Sequence, residues 1–159
     1  MPIYYLDTSV LVKCYVPERG TAWTLSLVAQ SPSAVIPQNQ IITSLLALAE
    51  GGAALARRQR SGEIAATERA ELFDRLVTDC RDRYKLLPVD ELTVQRAAQL
   101  TQHHPLRGYD AVHLASAILL RDVLVAADLP APIFVCADAN LCAVASIEGL
   151  AVENPNEHP

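Results

Sequence analysis

The chain has 159 residues, which is the size of one domain and enough to bury a sizeable core. Hydrophobic residues make up 51% and charged residues 19%, a composition that excludes intrinsic disorder. Aromatic residues are only 5% and the net charge is −5, which argues against an aromatic single-strand platform and against a basic coat for nucleic acid. If the protein handles a polyanion, a bound divalent cation is the simplest source of local positive charge.

The N-terminus has no basic stretch and no apolar signal-peptide core, and no apolar run is long enough to span a membrane. We therefore expect a cytoplasmic protein without a membrane segment. The cysteines form no C-x-x-C pair and no zinc-finger spacing with histidine, which favours free thiols. They are Cys14, Cys80, Cys136 and Cys142.

The first half of the chain reads as short apolar runs separated by helical patterns. The predicted elements are a strand over 3–6, a helix from Asp7 to about 15, a helix over 22–30 capped by Thr21, a strand over 33–36 and a long helix over 38–60. The long helix is inferred from apolar residues at a 4-3-4-3 spacing, namely Ile41, Leu45, Leu48, Gly52 and Leu55.

The second half continues this alternation. The predicted elements are a helix over 67–83 capped by Thr67, a strand over 84–87, a helix over 90–103 capped by Asp90, a helix over 109–126, a strand over 133–136, a helix over 141–147 and an edge strand over 149–152. Short continuous strands alternating with helices predict a parallel sheet covered on both faces. We expect one domain over 1–152 and a frayed polar tail over 153–159.

Two aspartates directly follow predicted strands, where open parallel sheets bind their ligands. Asp7 follows the first strand, although an N-cap role would explain it equally well. Asp138 follows the strand over 133–136. Asp128 is a competing candidate after another apolar run, but the prolines at 130 and 132 indicate a loop, so we favour Asp138.

Two further acids interrupt apolar helices. Glu50 is the only charged residue between Asn39 and Ala56, and an unpaired carboxylate there is costly unless it reaches a partner, water or a metal. The alternative places Glu50 on a solvent-facing stripe. Asp110 lies in the first turn of an apolar helix, where a favourable dipole interaction is the simpler explanation. His113, three residues later, fits a packed core histidine better than a catalytic one.

Together these four acids offer the oxygen ligands that Mg²⁺ and Mn²⁺ prefer. The sequence contains no Walker A loop, no G-x-G-x-x-G and no G-x-S-x-G elbow. The segments around the acids resemble PIN-domain ribonucleases, and most of all the VapC toxins of bacterial type II toxin–antitoxin pairs. The resembling segments are Tyr-Leu-Asp-Thr-Ser-Val-Leu-Val-Lys (5–13), Leu-Ala-Glu-Gly-Gly-Ala-Ala-Leu-Ala-Arg-Arg (48–58), Arg-Gly-Tyr-Asp-Ala-Val-His-Leu-Ala-Ser-Ala (107–117) and Val-Cys-Ala-Asp-Ala-Asn-Leu (135–141).

The resemblance spans nearly the whole chain and implies an α/β fold, a three-layer α/β/α sandwich with a central parallel sheet. It implies Mg²⁺- or Mn²⁺-dependent cleavage of RNA, a small antitoxin whose C-terminal arm enters the active-site groove, and a homodimer. The implied catalytic and metal-binding positions are Asp7, Glu50, Asp110 and Asp138, with Thr8, Ser9 and Asn140 as supporting polar residues.

Within that set, we expect Asp7 and Asp138 to ligate the principal metal ion. Glu50 and Asp110 would bind a second ion or orient the attacking water. Lys13 and Arg107 are the candidate phosphate contacts, whereas the arginines at 57, 58 and 60 are interpreted as dipole-compensating surface charge. The chain departs from the family in Gly51-Gly52 after the glutamate and in a longer segment over 121–132.

Other functions are weighed against this one. A PIN-type nuclease for RNA processing, or one that acts on DNA, fits the same residues. A catalytically silent binding module is disfavoured because all four acids are present. A dehalogenase-like phosphatase lacks its Asp-x-Asp after the first strand, and a receiver domain lacks its Asp-Asp pair before that strand.

Overall fold

Five parallel strands form a single sheet in the computed structural model, which describes residues 1–29 and 39–158. The strand order is β3-β2-β1-β4-β5. The strands are β1 (Ile3–Leu6), β2 (Gln40–Ser44), β3 (Lys85–Leu87), β4 (Ile133–Val135) and β5 (Ala151–Glu153). Because every pairing is parallel, the carboxyl ends of all five strands lie along one edge of the sheet.

Helices connect these strands. They are α1 (Thr8–Val12), α2 (Thr21–Val28), α3 (Leu46–Arg60), α4 (Ala66–Asp82), α5 (Glu91–His103), α6 (Gly108–Ala126) and α7 (Ala139–Ile147). None of the helices in the described residues has the length and apolar character needed to cross a membrane.

The core lies in two layers, one on each face of the sheet. Tyr5 of β1 and Phe134 of β4 point to one face, where their rings stack with centroids 5.7 Å apart against residues of α5, α6 and α7. Leu6 and Val135 point to the opposite face, against α1 to α4. This alternation within continuous apolar strands buries both faces. The three-layer α/β/α sandwich predicted from the sequence is therefore confirmed.

The predicted long helix over 38–60 is wrong in its first part. Residues Gln40–Ser44 form β2, which pairs with β1 through Tyr5 and Ile42 and with β3 through Ser44 and Leu87. Helix α3 begins only at Leu46. The segment Ile-Ile-Thr is rich in β-branched residues and is buried on both sides. A short run of this kind cannot be distinguished from a buried helix by its spacing alone.

Smaller differences concern the ends of elements. Helix α1 stops at Val12, α2 is capped by Gly20 at φ 82°, and α4 is capped by Ala65 without a side-chain hydrogen bond. The predicted Asp90 cap of α5 is confirmed, since its carboxylate accepts from the Thr93 amide at 2.9 Å. The predicted strand over 33–36 lies outside the described residues.

The C-terminal segment is packed rather than frayed. Glu153 belongs to β5, and a 3-10 turn follows over Pro155–Glu157. Pro155 is buried, and the His158 ring stacks on Trp23 with centroids 4.5 Å apart. This segment therefore covers the start of α2.

The glycine pair after Glu50 has a packing role. A Cβ atom at Gly51 would lie 2.7 Å from Leu76 Cδ2, and one at Gly52 would lie 3.0 Å from Phe73 Cε2. Helix α4 thus approaches α3 more closely than side chains at these positions would allow. The Gly-Gly departure accommodates this contact.

Candidate active site

A cleft of about 790 Å³ opens at the carboxyl edge of the sheet. Six of the predicted site residues line it: Asp7, Thr8, Ser9, Glu50, Arg107 and Asp110. They come from the β1–α1 junction, from α3 and from the start of α6. The parallel topology therefore brings together residues that are more than 100 positions apart in sequence.

Asp7 has both of the roles that the sequence left open. It caps α1, because its Oδ1 accepts from the Val10 amide at 3.2 Å, and it also lines the cleft. Oδ1 further accepts from Ser9 Oγ at 2.6 Å, and Oδ2 accepts from the Cys136 thiol at 3.3 Å. Burial raises the pKa of Asp7, and this effect outweighs the lowering by these hydrogen bonds and by nearby His113. The carboxylate is thus fixed in orientation at a position where its charge lacks solvation.

Glu50 lies on α3 and faces the cleft rather than a solvent stripe. Its Oε1 accepts from Thr8 Oγ1 at 2.8 Å and is 2.6 Å from His113 Nε2. Burial alone would raise the pKa of Glu50, but the bonds from His113 and Thr8 outweigh it and hold the pKa below its usual value. Glu50 is therefore ionised at neutral pH, with one carboxylate oxygen held by two donors.

Asp110, in the first turn of α6, lies close to the other acids. Its pKa is raised by burial and then by the negative charges of Asp7, Asp138 and Glu50, while Arg107 opposes the rise. Asp138 caps α7 by accepting from the Leu141 amide at 2.9 Å and is exposed beside the cleft. The four acids therefore share one electrostatic environment, although Asp138 lies outside the lining.

The competing aspartate lies elsewhere. Asp128 follows the end of α6 at φ 55° and is exposed. Ala126 lies sixteen positions after Asp110 in this helix, which is about 24 Å along the helix axis at 1.5 Å per residue. Asp128 is therefore remote from Asp110, whereas the charge of Asp138 acts on Asp110.

The supporting polar residues differ in what they do. Ser9 Oγ donates to Asp7 and accepts from the Ala137 amide at 3.1 Å, so it ties the β1–α1 junction to the loop before Asp138. Thr8 is buried and connects α1 to Glu50. Asn140 is exposed in the first turn of α7 and is not part of the cleft lining.

One predicted phosphate contact is corrected by the structure. Lys13 is only 4% exposed, and its Nζ donates to Glu18 Oε1 and to the Arg19 carbonyl, each at 2.8 Å. The amine is thus buried behind Glu18, which itself lines the cleft, and Lys13 is not part of the lining. Arg107 does line the cleft, at the N-cap position of α6, and is exposed there.

Nine further residues that the sequence did not assign to the site line the cleft, and Arg57, Arg58, Tyr109 and His113 are among them. Arg57 and Arg58, interpreted from the sequence as dipole-compensating surface charge, belong to the cleft lining. Tyr109 is 64% exposed beside Asp110, and His113 contacts Glu50. The spacing of Arg57 from Glu50, seven residues or two helical turns, is the signal that would have placed it on the cleft face.

The donor set fits a divalent cation. In the residues that the structure describes, no three histidine, cysteine or acidic side chains already enclose a metal position. Mg²⁺ does not require such a cage, because it keeps several waters and is usually held by one or two carboxylates together with substrate phosphates. The mutual repulsion that raises the pKa of Asp110 is the kind of environment that a cation relieves.

Comparison with known proteins agrees with the resemblance seen in the motifs. The PIN domain family matches residues 4–129 of the chain. Ribonuclease VapC45 and Ribonuclease VapC49, from two strains of Mycobacterium tuberculosis, are each 34% identical over 125 residues, which is 77% of this chain and 79% of each relative.

Solved structures share the fold at low sequence identity. A toxin–antitoxin complex from Klebsiella pneumoniae aligns with a TM-score of 0.57 at 18% identity, over 96% of this chain and 97% of that one. VapBC2 from Rickettsia felis, bound to a DNA fragment from its promoter, gives 0.59 at 16% identity, over 96% and 98%. Given the family match and the two relatives, the chain belongs to the PIN-domain family and groups with its VapC ribonucleases.

Proposed function

We propose that the chain is a Mg²⁺- or Mn²⁺-dependent endoribonuclease that acts in the cytoplasm as the toxin of a toxin–antitoxin pair. One observation carries the proposal: Asp7, Glu50 and Asp110 line the same cleft, and the raised pKa of Asp110 reports burial and the charges of its acidic neighbours. Membership in the VapC group supports RNA as the substrate.

The four acids Asp7, Glu50, Asp110 and Asp138 would hold the cation, with Asp7 and Asp138 as its principal ligands. A bound divalent cation lowers the pKa of a water molecule and neutralises charge on the phosphate. Ser9 and the Val10 amide keep the Asp7 carboxylate in one orientation.

Glu50 is suited to orient the attacking water. Its lowered pKa keeps the carboxylate ionised, and among the described residues only Oε1 is hydrogen-bonded, which leaves Oε2 able to accept a hydrogen bond from that water. The same lowered pKa makes Glu50 a weak proton acceptor. Glu50 is therefore proposed as the residue that orients the water or binds a second cation.

The walls of the cleft offer contacts for the rest of the substrate. Arg57 on α3 and Arg107 at the start of α6 both line the cleft, and each is exposed. They are proposed to bind phosphates on either side of the scissile bond. The exposed ring of Tyr109 lies next to Arg107 and can stack on an unpaired base.

The decisive experiment compares cleavage of an RNA pool and of DNA with the same sequences, with Mg²⁺, with Mn²⁺ and with chelator. Asp7→Asn keeps the size and the cap of α1 but removes the anionic ligand, and Asp128→Asn is the matched control at an exposed, remote aspartate. We expect metal-dependent RNA cleavage by the parent and the control only. Cleavage that persists in chelator would contradict the metal mechanism, and preference for DNA would favour the alternative nuclease.

A partner that blocks this cleft must complement its charge. We propose a small antitoxin with an Arg or Lys side chain that enters between Asp7 and Asp110. The measurement is inhibition by the product of the neighbouring gene, with and without that residue. Equal inhibition by both forms would place the blockade elsewhere. The homodimer that the resemblance implies is measured separately by sedimentation.

A further inference from the structure

A buried hydrogen-bonded chain runs from the centre of the sheet to the cleft. Tyr5 of β1 is fully buried, and its hydroxyl lies 3.0 Å from Nδ1 of His113, which is 2% exposed. The other ring nitrogen, Nε2, lies 2.6 Å from Glu50 Oε1. The imidazole is held edge-on to the tyrosine ring, with centroids 6.0 Å apart and an interplanar angle of 73°.

We propose that His113 is a positioning residue that orients Glu50 for metal and water binding. This inference rests on the proposed function, because it assigns Glu50 to the reacting site. It gives a role to a residue that the sequence alone identifies only as a packed core histidine.

The hydrogen positions follow from the donors available. Burial raises the pKa of Tyr5, so its hydroxyl keeps its proton and can donate to Nδ1. That bond places the imidazole hydrogen on Nε2, from where it donates to Glu50. A doubly protonated ring would also donate from Nε2, with the Tyr5 oxygen accepting at Nδ1. The role of His113 is therefore the same in both protonation states.

The hydrogen bond between His113 and Glu50 determines which carboxylate oxygen of Glu50 is available to the cleft. Oε1 receives two donors, Thr8 Oγ1 at 2.8 Å and His113 Nε2 at 2.6 Å. Those donors belong to α1 and α6, which also carry or adjoin Asp7 and Asp110. Glu50, on the separate helix α3, is thereby fixed relative to the other two acids, and Oε2 is left to face the cleft. Thr8 Oγ1 also lies 3.1 Å from His113 Nε2, so without His113 both the Glu50 side chain and its Thr8 donor would lose a restraint.

The chain supplies a matched control for this arrangement. His104 Nε2 makes an equally short contact of 2.7 Å with Glu148 Oε1. Glu148 follows the end of α7, ten residues from Asp138 and about 15 Å along the helix axis. Replacing His104 therefore removes a comparable histidine–glutamate bond away from the cleft.

The test uses the full chain and two readouts, Mn²⁺ affinity measured by calorimetry and the kinetics of RNA cleavage. His113→Leu fills the space without a donor, and we expect about 10-fold weaker Mn²⁺ binding and a similar fall in kcat with little change in KM. His113→Gln restores an N–H near the position of Nε2 and should recover most of both. His104→Leu should change neither.

A double-mutant comparison separates positioning from packing. In a Glu50→Gln background, His113→Leu should alter Mn²⁺ affinity by less than 2-fold, because the carboxylate through which it acts is gone. Parent-like affinity and kcat in folded His113→Leu would overturn the inference, as would equal losses in the Leu and Gln variants. A parent protein that binds Mn²⁺ but cleaves no RNA would refute the proposed function. The Mn²⁺ affinities of the parent and the His113 variants would still decide whether His113 positions Glu50.

Discussion

Asp7 and Asp110 face the same cleft, and both have a pKa above that of an ordinary aspartate. Burial is the main cause in both, and at Asp110 the negative charge of Asp7 is the next contribution. In the metal-free fold, repulsion between these carboxylates therefore destabilises the cleft in which the proposed function requires their negative charge. Two unit charges about 4 Å apart repel by up to roughly 4 kcal/mol at an effective dielectric of 20.

The first prediction is that Asp110→Asn stabilises the protein in chelator at neutral pH. Because Asp110 is half-exposed, solvent screens most of the repulsion, and we expect a gain of about 1 kcal/mol, or about 2–4 °C in Tm. A carboxyl with a raised folded-state pKa keeps its proton longer in the native state, so stability falls as pH rises through the unfolded and then the folded pKa.

The advantage of the mutant should therefore be absent at acid pH and grow from about pH 4 towards neutral. Thermal melts of the parent and Asp110→Asn at several pH values measure it. A mutant less stable than the parent at neutral pH in chelator would show that Asp110 serves mainly as a favourable charge at the start of α6.

The second prediction concerns metal-linked stability. A cation that binds only the folded state adds about 2.7 kcal/mol at a concentration 100 times its Kd. Mg²⁺ should therefore raise the Tm of the parent and raise that of Asp110→Asn much less. Asp128→Asn, the remote control, should respond as the parent does. Equal Mg²⁺ responses in all three proteins would count against Asp110 as part of the metal site.

Most strands were predictable because their local sequence is unambiguous. The runs that form β1 and β4 are continuous and apolar, and each ends shortly before an aspartate. Strand β2 was not predictable, because Ile41 continues the apolar spacing of α3. Only its pairing with β1 and β3 decides its conformation, and that pairing is non-local.

The placement of Asp7 and Asp138 at one edge was predictable for a similar reason, since parallel topology places the residues after β1 and β4 there. The orientation of Lys13 was not predictable. It is turned inward by the loop that carries Glu18, and that contact depends on how separate elements pack, which the local sequence does not encode. Arg57 differs, because its seven-residue spacing from Glu50 is a local signal for the cleft face of α3.

The third prediction tests the corrected role of Lys13. Lys13→Met keeps the aliphatic stem but leaves Glu18 with Arg58 as its remaining ion-pair partner in the described residues. Because Glu18 is partly exposed and still paired, we expect a loss of about 2 kcal/mol in unfolding free energy rather than the full cost of a stranded buried charge.

Lys85→Met, at the exposed start of β3, is the matched control and should change stability by less than about 0.5 kcal/mol. Denaturant unfolding measures both variants. RNA affinity and its salt dependence should stay unchanged in Lys13→Met. A reduced salt dependence would instead show that the lysine leaves its buried ion pair to contact phosphate.

The fourth prediction concerns the cations of the cleft. Arg57→Gln and Arg107→Gln should each raise KM for RNA several-fold, because each removes one phosphate contact. Each should also reduce the slope of log affinity against log salt by about 0.7, the value for a single-stranded substrate. The change in kcat should be small, since neither side chain is expected to touch the reacting atoms. Arg60→Gln is the matched control, as Arg60 is exposed at the end of the same helix and lies outside the cleft lining.

Arg58 differs from all three, because its guanidinium is held by Glu18 at 2.6 Å and Glu63 at 2.8 Å. Replacing Arg58 should therefore act mainly on the free energy of unfolding, with a smaller effect on the salt dependence of RNA binding. Binding measured at several salt concentrations decides the matter, and an Arg60→Gln effect equal to that of Arg57→Gln would mean that the RNA follows the outer surface of α3 instead of the cleft.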